Sequence, residues 1–258
     1  MRSTVLRLSA LSLALVTVGA QAQTSTDDTT LDTIQVQSSA DASAGGLSKT
    51  FSGGQVATGG KVGILGTQSV METPYSYTVY TDQIIKDQQA ASVGDIVLND
   101  PAVRVSRGFG NYQQLYMVRG LPIYSDDITY NGLYGLLPRQ YLASEFIQRV
   151  QIFRGANTFL KGAAPGGSGL GGAINIVPKR APNTPLTELT VGTQTGGQSY
   201  AAADLAERSD DQRFGIRVNA ARHDGDTAVD GESSELSMAS LGLDFRGDRL
   251  RLSGDLGF

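Results

Sequence analysis

From Lys161 to Arg180 the chain carries glycine at positions 162, 166, 167, 169, 171 and 172, and then runs into the apolar strand-like stretch Ala173 to Val177. Glycine is the residue that passes cheaply through positive φ and lets another backbone approach closely, so this segment specifies turns and tight packing. Two Arg-Gly turns precede it, at Val118-Arg119-Gly120 and Phe153-Arg154-Gly155, beside stretches rich in Ile and Val. Together they predict a compact domain of short strands and tight turns. The 32 glycines of the 258-residue chain fit that reading and would be out of place in a helical protein.

What precedes the domain follows from composition. Arg2 and Arg7 form a basic start, Leu8 to Val18 an apolar core, and Ala20-Gln21-Ala22 an Ala-x-Ala site, so residues 1–22 read as a secretory signal cleaved after Ala22. An apolar run this short cannot span the ~30 Å hydrocarbon core of a bilayer. Residues 23–69 are rich in Thr, Ser, Asp and Gly and are expected to be disordered. Leu31 to Val36 is the exception, an extended island with Ile34 and Val36 alternating.

The compact region is expected over 70–181. Tyr77 to Tyr80 reads as a strand, Thr81-Asp82 as the cap of a helix from Gln83 to about Gln89, and Ser92 as the cap of a second helix, Val93 to Leu98, ended by Asn99-Asp100-Pro101. Val103 to Ser106, Leu115 to Arg119, Phe146 to Phe153 and Ala173 to Val177 complete a small α+β domain with a mixed sheet. After Pro182 the period changes. Arg213 to Ala220, Ser240 to Arg246 and Leu250 to Leu256 alternate polar with apolar, as transmembrane β-barrel strands do. A soluble antiparallel sheet with one wet face would alternate equally well. Four or five such strands fit into 182–258, too few to close a barrel.

Several chemistries are excluded or weakened. A net charge of −4 argues against nucleic acid, and the absence of Cys removes disulfides, thiolate metal sites and a thiol nucleophile. Gly167 to Gly172 satisfies G-x-G-x-x-G, but a β-rich stretch and Pro178 follow it where a dinucleotide site needs a helix. His223 is the only histidine and reads as a strand-end residue near a turn. Asp126-Asp127 and the acidic stretch Asp224 to Asp226 read as solvated loops rather than cation sites. No catalytic constellation emerges, and no cofactor is expected.

The motifs Val118-Arg119-Gly120, Asn131-Gly132, Arg154-Gly155-Ala156, Pro165-Gly166-Gly167 and Asn175-Ile176-Val177-Pro178-Lys179-Arg180 occur in an order that resembles the plug domain of TonB-dependent outer-membrane receptors, ferric-siderophore type. Departures are Leu121 where the family usually has Phe, Lys161 where an aromatic usually stands, and an apparent glycine insertion at 168–172. The resemblance implies an α+β plug followed by the first antiparallel strands of a barrel, left incomplete in a chain that looks like the N-terminal part of a longer receptor. It implies a place in the cell outer membrane, and iron present only inside the transported chelate.

Asp32, Thr33, Ile34, Gln35 and Val36 resemble the TonB box, which adds as a strand to the coupling protein TonB. Ligand-facing loops of the family fall at Arg107 to Gln114 and Tyr130 to Arg139, implicating Arg107, Tyr112, Gln113, Tyr130, Tyr134 and Arg139 in holding a bulky ferric siderophore. The same tyrosines could instead pack the plug against the barrel wall. Arg119, Arg154 and Arg180 are expected to pair structurally with acidic residues. A receptor of the same family for a vitamin, another metal complex or a carbohydrate, and from a different class a passive porin or adhesin, are the competing readings.

Overall fold

The computed structural model describes residues 46–106, 113–194 and 196–258. The signal-like segment, the 32–36 island, and Arg107 and Tyr112 of the expected ligand loops lie outside the described residues. In chain order the described elements are β1 (Gly59–Lys61), β2 (Thr67–Ser69), β3 (Ser76–Thr81), α1 (Asp82–Gln88), α2 (Val93–Val97), β4 (Val103–Ser106), β5 (Leu115–Val118), β6 (Leu121–Tyr124), β7 (Thr129–Tyr130), β8 (Ile147–Arg154), α3 (Thr158–Lys161) and β9 (Gly172–Pro178). Five longer strands follow: β10 (Leu186–Thr193), β11 (Ser199–Arg208), β12 (Phe214–Asp226), β13 (Ser233–Arg246) and β14 (Arg251–Gly257).

The expected helix caps are present. Thr81 Oγ1 accepts from the backbone N–H of Gln83 at 3.3 Å, so α1 begins one residue earlier than the sequence suggested. Gln89 closes it in the left-handed region with φ of 50°. In α2 the Asp95 carboxylate reaches back to the Ser92 backbone N–H at 3.0 Å, half of a capping box. Val93, Ile96 and Val97 are fully buried, giving this short helix the apolar contacts that its length alone could not replace.

The central sheet of the α+β domain runs β3-β8-β9-β7, antiparallel except for the parallel pair β7 and β9. A second sheet, β4-β5-β6, is an antiparallel meander. Strands β8 and β9 are buried on both faces. On one face Val150, Ile152, Ile174 and Ile176 pack with Ile84, Val93, Ile96 and Val118 in the main core. On the other, Phe153 and Ala173 meet Tyr77, Val79, Ala57, Val62 and Leu160, with the Tyr77 and Phe153 rings stacked at 5.3 Å.

That second face corrects the expectation of disorder up to residue 69. Residues 46–69 form the β1–β2 ribbon and its flanks, and they cover a sheet face that would otherwise stand open. Low hydrophobicity concealed this, because the seal is made by few apolar residues and by close backbone approach. A Cβ on Gly60 would lie 2.3 Å from the Gln151 side chain, and one on Gly63, at φ +50°, would lie 1.9 Å from the Leu160 carbonyl oxygen. Only glycine fits at 63, where the neighbour is backbone, while a side chain at 60 would have to displace the Gln151 and Val79 side chains.

The last five strands form one antiparallel sheet in sequence order, each strand a hairpin partner of the next. It is open, with β10 and β14 at its two edges. Its polarity is inverted relative to a soluble sheet. Leu189, Val191, Leu205, Phe214, Ile216, Val218, Leu243 and Leu256 are exposed, while Asp204, Arg208, Arg217, Asn219, His223 and Asp244 are buried. Apolar residues look outward and charged ones inward, the arrangement of a strand wall bathed in lipid. No described helix is long and apolar enough to cross a membrane.

Candidate functional site

The inward charges of the wall are paired, several of them with the α+β domain. Asp204 on β11 accepts from Arg217 at 2.8 and 2.7 Å, from Lys179 at 2.9 Å and from Asn219 at 3.1 Å. Arg180 grips Asp255 of β14 with both terminal nitrogens. Arg217 and Arg208 also donate to the backbone carbonyls of Arg180 and Ala181, each at 2.8 Å, and Arg208 pairs with Asp244 at 2.7 Å. The junction between the two domains is therefore clasped by guanidinium groups from the wall. Buried charges persist only when paired and hydrogen-bonded, and here most of them are.

His223 takes part in this seam. It does sit near the end of β12, but it is buried, with Nε2 2.9 Å from Glu145 of the α+β domain and its ring 4.5 Å from that of Tyr200. Arg154 lies wholly within the α+β domain, donating to the buried carboxylate of Asp100 and to the hydroxyls of Ser76 and Thr78. Arg180 likewise has the acidic wall partner expected of it. Arg119 occupies a left-handed turn position, φ 52°, with its guanidinium against Gly155.

Of the six expected ligand residues, four are described. Gln113 is half-buried just before β5. Its neighbour Gln114, which the sequence gave no reason to single out, is fully buried: its Oε1 accepts from the Gly94 N–H at 3.1 Å and the Tyr116 hydroxyl at 2.7 Å, and its Nε2 donates to Ser92 Oγ at 2.9 Å. Gln114 thus pins the end of the first expected ligand loop to the N-terminus of α2. A polar residue between a loop and a strand carries no periodic signal, so only the structure shows it.

Tyr130, Tyr134 and Arg139 share the second loop but face different surroundings. The Tyr130 hydroxyl is bonded to Asp255 and Arg180 in the seam, and burial, followed by the Asp255 charge, raises its pKa. Tyr134 is half-buried, its hydroxyl pushed up by burial and by the nearby charge of Asp127. Both hydroxyls are therefore protonated donors at neutral pH. Arg139 is exposed and binds Asp126 through Nε at 3.0 Å and Nη2 at 2.8 Å. Leu133 and Leu136 stand exposed between them, 63% and 59%, so the loop offers apolar surface, a phenol and an ion-paired guanidinium together.

The acidic pair next to this loop is not the solvated feature expected. Asp127 is 2% exposed and accepts from the backbone N–H groups of Gly166 at 2.6 Å and Ser168 at 3.2 Å. The glycine-dense turn wraps this carboxylate, and β9 follows it, so the G-x-G-x-x-G pattern ends in a strand. No group of three or more described His, Cys, Asp or Glu side chains is placed to hold a metal ion.

Residues 69–168 match the family model of the TonB-dependent receptor plug domain. The ferrichrome receptor of Yersinia enterocolitica is 44% identical over 236 residues, which cover 90% of this chain and 31% of that receptor. The vitamin B12 transporter of Vibrio vulnificus is 25% identical over 52% of this chain and 22% of its own length. Among solved structures, the ferric preacinetobactin receptor from Acinetobacter baumannii superposes with a TM-score of 0.78 at 34% identity, covering 81% of this chain and 31% of that one. The chain thus spans about a third of the first relatives it matches. With its plug domain at residues 69–168 and a wall of outward-apolar strands after it, the chain is a homologue of the siderophore receptors of the TonB-dependent family.

Proposed function

We propose that this chain is the plug and first wall strands of an outer-membrane receptor that binds a ferric siderophore and imports it into the periplasm with energy delivered by TonB. The observation that carries the reading is the wall sheet: it has a lipid-type outer face, and its charged inner face is held to a plug-like domain by buried ion pairs, an arrangement suited to one side of a gated pore. The siderophore assignment takes its support from the 44% identity to a ferrichrome receptor, and ferrichrome is the substrate to try first. The role is transport rather than catalysis. Arg107, Tyr112, Gln113, Tyr134 and Arg139 are proposed to contact the chelate, with Tyr130 shared between ligand and seam.

Asp32 to Val36 is proposed to pair with TonB as an added strand. Deleting Leu31 to Val36 from the receptor in iron-starved cells is expected to bring uptake of radiolabelled ferrichrome to background while surface binding keeps its affinity. Uptake at the parental rate by the deletion strain would overturn the coupling claim. Failure of the intact receptor to bind ferrichrome, with binding of a corrinoid instead, would move the ligand to the vitamin class, which the Vibrio vulnificus relative represents.

A further inference from the structure

Ser125, Asp126 and Asp127 form a single 3-10 turn whose side chains tie down two separate segments, the first two holding Arg139 and the third the Gly166–Ser168 turn. Ser125 Oγ donates to the Arg139 carbonyl at 2.6 Å. Asp126 holds the Arg139 guanidinium, while Asp127 receives the N–H groups of Gly166 and Ser168. At its other end the Tyr130–Arg139 loop is fastened by the Asn131 N–H to the Ile176 carbonyl at 2.7 Å and by the Gly132 N–H to Asn175 Oδ1 at 2.8 Å. Residues 131–146 contain no helix or strand, so these backbone and side-chain ties stand in for a ladder.

Asp127 is the central tie. Two peptide N–H groups converge on its carboxylate, a nest that neutralises the charge without a cation. Gly166 is fitted to it, since a Cβ there would lie 2.6 Å from Asp127 Oδ2. The same carboxylate lies near the Tyr134 hydroxyl, where its charge adds to burial in raising the phenol's pKa. We infer that Asp127 is a positioning residue for ligand capture: it anchors the Ser125–Asp127 turn, whose Ser125 and Asp126 hold Arg139, to the Gly166–Ser168 turn, so that Tyr134 and Arg139 are presented in one geometry. The inference rests on the proposed role of that loop in binding the chelate, and it assigns Asp127 no contact with the ligand.

The test uses the full-length receptor in whole cells and the variants Asp127→Ala and Asp127→Asn. Nitration of tyrosines by tetranitromethane, read by peptide mass spectrometry, needs no ligand. Asp127→Ala is expected to raise nitration of Tyr134 several-fold while leaving Tyr130, fixed by Asp255 and Arg180, unchanged. Ferrichrome binding is expected to weaken about tenfold, equivalent to ~1.4 kcal/mol, with Asp127→Asn between because its amide oxygen still accepts one N–H. Should Asp127→Ala fail to reach the outer membrane, Asp127→Asn alone carries both readouts. Unchanged nitration at Tyr134, or an equal rise at Tyr130 and Tyr134, would overturn the proposal, the latter by showing general loosening. A selective rise at Tyr134 in a receptor that binds no ferric siderophore would keep the positioning role and remove the ligand assignment.

Discussion

Asp204→Ala is expected to lower the stability of the refolded protein by about 3–5 kcal/mol, the cost of breaking a buried ion pair by removing one partner. The reason is what remains behind. Arg217 and Lys179 both point at this carboxylate, and their side chains are only 5% and 9% exposed, so the substitution leaves two largely buried cations without their ion-pair partner, Arg217 keeping its bond to the Arg180 carbonyl and both the more distant charge of Asp82. Lys86→Ala is the contrast. Lys86 meets Glu188 at 2.6 Å, but the two side chains are 44% and 36% exposed, and such surface pairs contribute ~0–1 kcal/mol. Urea unfolding in detergent reports both. Asp204→Ala should move the midpoint strongly and Lys86→Ala barely; equal small shifts would mean that the seam is hydrated and the pairing incidental.

Lys161→Met is expected to act in the opposite direction, stabilising the protein by ~2 kcal/mol at pH 7. The ammonium nitrogen of Lys161 is buried without a hydrogen-bond partner, 4.0 Å above the centroid of the Phe153 ring. Burial, and secondarily the charge of Lys61, pushes its pKa down to about 7. A cation over an aromatic face recovers part of the desolvation cost, but the amine has no anion to recover the rest. At ~1.4 kcal/mol per pKa unit the shift would amount to several kcal/mol; part of the side chain reaches the surface, so the charged form can turn toward water and the effect is set lower.

The sign of the pH dependence follows directly. Between about 7 and the ordinary lysine range the unfolded chain holds a proton that the folded chain lacks, so stability rises with pH across that window. Below about 7 both states are protonated and the full penalty is present. The parent should therefore gain stability from pH 7 to ~9.5, whereas Lys161→Met should show a flat profile. Beyond that range Tyr80, whose hydroxyl burial pushes up to about 12, works the other way, since the unfolded chain ionises first. A parent and variant with parallel profiles would show that Lys161 is solvated in the folded state.

How much of this was legible from the residues depended on period and capping. Thr81 and Ser92 announced their helices because a hydroxyl before an apolar run has one common use. The wall strands from 214 onward were visible because Phe214, Ile216 and Val218 alternate with Gly215, Arg217 and Asn219. The 46–69 ribbon was not, since its packing depends on Gly60 and Gly63 meeting a sheet and a helix whose positions are set over ninety residues later. Asp127 and Gln114 were missed for a related reason. A buried polar residue in a loop looks identical in sequence to a solvated one until its partners, here Gly166, Ser168, Gly94 and Tyr116, are brought beside it. His223 was placed correctly along its strand, but the side it faces and its Glu145 partner come from the fold.

The signs of the charges along the seam also bear on ancestry. The plug side and its tail supply Lys86, Lys179 and Arg180, and the wall answers with Glu188, Asp204 and Asp255, while Glu145 of the plug meets the His223 ring of the wall. Such a pattern works as a lock with a matching key. A plug transplanted from a relative with other residues at these positions would meet buried charges it cannot answer, so neither half is free to drift alone. Substitutions at Lys179 or Arg180 should become fixed only together with changes on strands that lie 25 and 75 residues further along the chain.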